Sequence, residues 1–132
     1  MITLYSNHHS INLTLPKESV WIDEFDWTAA KSRSFYSING DLIIEPSFTA
    51  KGRPITLSGS NAVFKRNDLE TLYSWVNVPN HSLVLTLHDG RNFDTMFRLW
   101  DSPVIEAKTP FGGYAKPEDN HYYELTIKLV TV

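Results

Sequence analysis

Apolar and polar residues alternate in short runs along most of the chain. Ile2 to Ser6 alternates, Asn7-His8-His9 interrupts, and Ile11, Leu13 and Leu15 resume the pattern around Asn12 and Thr14. A side-chain period of two is that of a half-buried strand, so residues 1–15 predict an N-terminal hairpin. Pro16 closes it, because proline has no N–H to give to a ladder. Ser34 to Ile38 and Asp41 to Glu45 flank Asn39-Gly40, the dipeptide best suited to a two-residue hairpin turn, and Pro46 is expected to end the second strand. Lys51-Gly52-Arg53-Pro54 reads as a turn: Gly52 tolerates φ > 0 and Pro54 keeps Arg53 extended. Ile55 and Leu57 then alternate with Thr56 and Ser58. Leu83, Leu85 and Leu87 share one face of a further hairpin that turns at Asp89-Gly90. Its return strand puts Phe93, Thr95, Phe97 and Leu99 on one side and Met96, Arg98 and Trp100 on the other. Pro103 to Ala107 predicts a short strand and residues 108–120 a long loop. Tyr123, Leu125, Ile127 and Leu129 line one face of a closing strand.

One segment has a different period. Leu69, Leu72, Tyr73 and Val76 follow i, i+3, i+4, i+7 and predict a helix over about 67–77. Asn67 is placed to cap it, with Glu70 in the capping-box position, and Pro79 marks its exit. Trp75 falls beside this stripe. A single apolar helical stripe must pack on a sheet, so the chain is expected to be mainly β. The predicted fold is one domain over 1–132, a β-sandwich or partly closed β-barrel with one flanking α-helix.

Composition narrows the possibilities. A chain of 132 residues buries a core without staples, and seven Phe, six Tyr and four Trp supply it generously. The absence of Cys excludes disulfides, thiolate metal sites and a Cys nucleophile. A formal net charge of −3 is not the basic footprint of a nucleic-acid binder, so no specific nucleic-acid recognition is expected. The N-terminus carries no Lys or Arg ahead of an apolar core, unlike a signal peptide, and no apolar run has membrane-spanning length.

Catalytic patterns do not emerge. The histidines at 8, 9, 81, 88 and 121 form neither HxH nor HExxH, and read as ordinary surface residues. Ser58-Gly59-Ser60 lacks the frame of a nucleophile elbow. Acid pairs such as Glu118/Asp119 read as solvated loop charge. The expectation is a protein that is not an enzyme, with no catalytic residues, no metal and no cofactor. Two clusters are less bland. Trp21-Ile22-Asp23-Glu24-Phe25-Asp26-Trp27 interleaves aromatics with acids, either as an edge strand with alternating faces or as an acidic, aromatic edge that meets a partner. Lys51 and Arg53, with Lys65 and Arg66 one strand later, are solvated charge by default. An acidic and a basic edge on one domain also permit head-to-tail contact between copies, the geometry that closes into rings.

Three segments, Trp21-x-Asp23-Glu24-Phe25-x-Trp27, Gly40-Asp41-Leu42-Ile43-Ile44-Glu45 and Gly52-Arg53-Pro54-Ile55-Thr56-Leu57, are followed by Asp89-Gly90-Arg91-x-Phe93 and Met96-Phe97-Arg98. Pro103-Val104-Ile105-Glu106-Ala107 and Tyr122-Tyr123-x-Leu125-Thr126-Ile127-Lys128-Leu129 complete the series. From Trp21 onward this order resembles small tail-tip and baseplate proteins of tailed bacteriophages, of the distal-tail or tube-initiator kind. The resemblance implies a virion tail subunit at the junction of tail tube and baseplate, assembled as a ring, commonly hexameric. Its implied partners are other copies of itself and neighbouring tube, hub or tape-measure proteins. The candidate interface residues are Trp21, Asp23, Glu24, Asp26, Lys51 and Arg53, with Phe111, Tyr114 and Lys116 in the long loop. Reversing the charge of Arg53 is expected to weaken assembly and leave the melting temperature almost unchanged. The competing reading is a carbohydrate- or other ligand-binding β-sandwich, with Trp and Tyr as stacking platforms.

Overall fold

The computed structural model describes residues 2–59, 63–109, 113, 115–118 and 121–132. Along them run β1 (Thr3–Ser6), β2 (Ile11–Thr14), β3 (Val20–Trp21), β4 (Ala30–Tyr36), β5 (Leu42–Phe48), β6 (Pro54–Ser58) and β7 (Val63–Lys65). The helix α1 (Arg66–Val76) follows, then β8 (Leu83–Thr86), β9 (Asn92–Phe97), β10 (Ile105–Lys108) and β11 (Tyr122–Thr131). The protein is mainly β with one helix.

β11 organises the main sheet. On one side it pairs with β6 and then β7, and on the other with β9 and then β10, all antiparallel. Beyond β9 the order continues β8, β1, β2, and β3 pairs with the far edge of β6. The registers place apolar residues in rows across one face. Leu13, Leu4, Leu85 and Phe93 form one row, and Phe97, Leu129 and Ile55 another. Ile105, Ile127, Leu57 and Trp21 form a third. α1 packs Leu72 and Trp75 onto that face, where both are buried. The sheet is open but strongly rolled. Three strand spacings separate β3 from β9, at least about 14 Å in a flat sheet. The Trp21 and Phe93 rings nevertheless meet edge-on at 5.6 Å.

Several local expectations change. The helix runs 66–76, one residue earlier than the periodicity implied, and Asn67 does not cap it. Its N-cap is Lys65, without a side-chain bond. β7 runs straight into the helix, and the Arg66 N–H is taken by the carbonyl of His121 at 2.8 Å, so the residue just before β11 satisfies a donor that a cap would otherwise serve. Glu70 pairs instead with Arg66 at 3.1 Å. The buried helix face centres on Leu72 and Trp75, whereas Tyr73 is 62% exposed. Residues 22–26 do not continue β3 as an edge strand. The Asp23 carboxylate accepts the Thr56 N–H and the Thr56 hydroxyl, both at 2.9 Å, which holds the chain in a turn. His81 is not a surface histidine but buried.

β4 and β5 form a hairpin of their own, outside the main sheet. It is longer than Ser34 to Glu45, and Pro46 does not end it. Ser37 donates to the Asp41 carbonyl and Thr49 to that of Ala29, both at 2.8 Å. With the register Ala30 to Phe48, this makes odd-numbered β4 residues the hydrogen-bonded pairs. Pro46 sits opposite Ser32 in a non-bonded pair, so its nitrogen faces the free edge and no ladder bond is lost.

Candidate interaction surfaces

The acidic segment meets Arg53 of the basic cluster, together with Arg91 and Arg98, within one chain. Arg53 donates from Nη2 to the carbonyl of Glu24 at 2.7 Å, and its guanidinium lies 4.4 Å from the Trp21 ring and 6.0 Å from that of Trp27. Arg91 bridges the Glu24 carboxylate at 2.9 Å and that of Asp89 at 2.7 Å, and also approaches the Trp21 ring at 5.7 Å. Arg98 lies 3.9 Å from Asp23 and donates to the Thr56 hydroxyl at 2.8 Å. Trp21, Asp23, Glu24 and Arg53 therefore belong to one intramolecular network. Asp26 is exposed and donates its N–H to the carbonyl of Asp23 at 3.2 Å. Lys51 is exposed beside a groove lined by Trp27, Arg53 and Phe93. Lys116 is exposed, and Phe111 and Tyr114 lie outside the described residues. Because Arg53 is half-buried and bonded inside the chain, reversing its charge acts on the fold itself, contrary to the expectation of an unchanged melting temperature.

The hairpin presents a surface that the sequence reading did not single out. All fourteen residues of its two strands are exposed. Alternation divides them into two unlike faces. One carries Lys31, Arg33, Glu45 and Ser47, with Phe35 and Ile43 near the tip. There Arg33 bridges Glu45 at 2.8 Å and lies 5.7 Å from the Phe35 ring. The other face holds Ala30, Ser32, Ser34, Tyr36, Leu42, Ile44, Pro46 and Phe48, without one charge. Tyr36 and Phe48 are each 73% exposed, and the tip residue Ile38 is fully exposed. The signal was present in the sequence as even-numbered apolar positions in residues 42–48. What it lacked was any sign that these positions stay exposed in the folded chain.

A second apolar surface lies between α1 and β10. Leu69, Tyr73, Ile105 and Ala107 line a groove of about 390 Å³, rimmed by Arg66 and Glu70. Among the described strands, β10 pairs only with β11.

Three histidines gather where the first turn meets the helix end. The rings of His8, His9 and His81 lie 4.9 to 5.7 Å apart, and His9 stacks on Trp75 at 6.3 Å. His81 Nδ1 donates to the carbonyl of Trp75 at 3.0 Å, so neutral Nε2 accepts from the Ser6 hydroxyl. Burial pushes His81 below its ordinary value, with His9 and His8 adding to the shift against the Trp75 carbonyl. Both His81 nitrogens are thereby engaged. Among the described residues no group of three His, Asp or Glu is arranged to hold a metal, and no helix is long and apolar enough to cross a membrane.

Set against known proteins, the chain matches no family model, no curated protein and no solved structure.

Proposed function

We propose that this chain is a structural, ring-forming subunit of a phage tail or contractile injection machine, located in the virion at the junction between tail tube and baseplate or tail tip. The observation that carries the reading is the β4–β5 hairpin, with its uncharged face exposed from base to tip. A lone two-stranded hairpin is marginal in water, and a contiguous apolar face of this kind marks an interaction surface. Such an arm has the form of an element that gains its packing from a neighbour. The resemblance along the chain adds the setting: a ring, commonly of six copies, meeting tube, hub or tape-measure proteins. The net charge of −3 suits a subunit around a DNA conduit, since like charge repels phosphate.

Ligand binding through stacking platforms has less support. Trp75 is buried in the core, and the Trp21 ring is occupied by two guanidinium groups and Phe93. Size-exclusion chromatography with light scattering, followed by negative-stain microscopy, tests the proposal. Closed rings of the purified chain, and its labelling at the tail tip of particles, are the expected results. A strict monomer that binds a glycan, or a particle without it in the tail, would overturn the reading.

A further inference from the structure

We infer that the hairpin of one copy docks as a strand addition into the α1–β10 groove of the next, its β4 edge pairing with β10. The inference rests on the assembly role proposed above and specifies its contact.

The strand parities agree. The Lys128 N–H donates to the Val104 carbonyl at 3.0 Å, and β10 pairs Ile105 with Ile127, so Val104, Glu106 and Lys108 point their backbone groups at β11. Ile105 and Ala107 therefore turn their N–H and C=O groups to the open side, while their side chains enter the groove. In β4 the even-numbered residues Ala30, Ser32, Ser34 and Tyr36 present free backbone groups, for the same reason. Antiparallel pairing of these two edges sets even β4 residues opposite Ile105 and Ala107, with side chains on the same face. The uncharged side of the hairpin is thus delivered to the helix side of the sheet, toward Leu69 and Tyr73. Lys31, Arg33 and Glu45 fall on the solvent side, in the lane of Glu106. A pairing of opposite parity would bury those charges.

The exposure of the arm makes the contact intermolecular. The hairpin base lies at the C-terminal end of β11, where Gly52 donates to the Thr131 carbonyl at 3.0 Å. The groove lies beside the middle of that strand, at Leu125 and Ile127. Along the strand Thr131 is about 13 Å from Ile127 and about 20 Å from Leu125. The exposure of every hairpin strand residue shows that the arm does not lie in its own groove. A donor and an acceptor that are different surfaces of the chain make a heterologous, head-to-tail contact, which closes into a ring when the rotation permits. An edge strand beside a helix is the geometry of β-augmentation, in which main-chain bonds give affinity and alternate side chains give specificity. The apolar residues of the arm offer on the order of 600 Å², near the roughly 800 Å² each partner gives a standard interface. Pro46 then blunts the outer β5 edge, so the added sheet does not propagate further.

Sedimentation velocity on three substitutions at exposed positions tests this, with circular dichroism as the check on folding. Ile44→Glu spoils the arm and Tyr73→Glu the groove. Ser34→Pro removes one outward N–H and leaves the hairpin's own ladder intact. Ile44→Glu and Tyr73→Glu should each weaken association about a hundredfold or more, since each buries an unpaired carboxylate, and Ser34→Pro should weaken it measurably. An equimolar mixture of Ile44→Glu with Tyr73→Glu should form dimers and stop there, because one intact arm meets one intact groove. Arm and groove variants that assemble like the wild type, or a mixture that stays monomeric while the wild type assembles, overturn this docking and leave the ring role standing. A wild type that never associates overturns both.

Discussion

Arg53 shows how far a single side chain departs from its appearance in the sequence. It looks like turn charge beside Gly52, but the turn folds its guanidinium over Trp21 and onto the Glu24 carbonyl. Arg53→Glu removes a cation–π contact and a charged hydrogen bond, and places a carboxylate near Glu24. A loss of about 2–4 kcal/mol is expected, read by urea unfolding followed through Trp fluorescence. His81 gives a pH prediction. Its folded pKa lies below the unfolded value of 6.5 because burial disfavours the charged ring. Between the two values the unfolded chain binds a proton that the native one does not, so stability falls as pH drops below about 6.5 and levels off once both states are protonated. Thermal melts from about pH 8 to about pH 5 should show this slope, and His81→Gln should flatten it. A wild-type melting temperature independent of pH in this window would remove His81 as the responsible group.

At the level of elements, the helix and the hairpin depend on opposite kinds of support. α1 has no side-chain N-cap and owes its start to the His121 carbonyl and its stability to packing. Trp75→Ala should therefore cost about 3–5 kcal/mol by opening a cavity in the core. Tyr73→Ala, on the exposed side of the same helix, should stay within about 0.5 kcal/mol. Equal losses at both positions would contradict the observed helix rotation. The hairpin has a full ladder and a Gly40 turn at φ 85°, yet every residue of its strands is exposed. Its order in isolation rests on the ladder, the Arg33–Glu45 pair and neighbours on the same face, of which an exposed ion pair adds little.

The whole molecule divides into a rolled sheet with its helix and a separate two-stranded arm. Ala29 and Thr49 are joined by a backbone hydrogen bond, so the two ends of the arm already meet. Replacing residues 30–48 with a short glycine linker should leave the melting temperature of the body nearly unchanged and abolish self-association. Calorimetry and light scattering on one sample would check both. A body that unfolds without the arm would make the hairpin part of the fold.

Strand alternation, the Asn39-Gly40 and Asp89-Gly90 turns and the one 3.6-period segment were legible from sequence, because each depends on neighbours a few residues away. They were enough to indicate a mainly β chain with a single helix near 66–76. Three decisions needed partners distant in sequence. Trp75 replaced Tyr73 in the core because the incoming strand fixes where the helix starts, and hence its rotation. The acidic segment met Arg53 and Arg91 because the sheet rolls Trp21 toward Phe93 and Arg91. The apolar positions of β5, which in sequence look like any other half-buried strand, were left uncovered. Local pattern states which residues prefer burial, whereas only tertiary packing decides which of them the chain itself can bury.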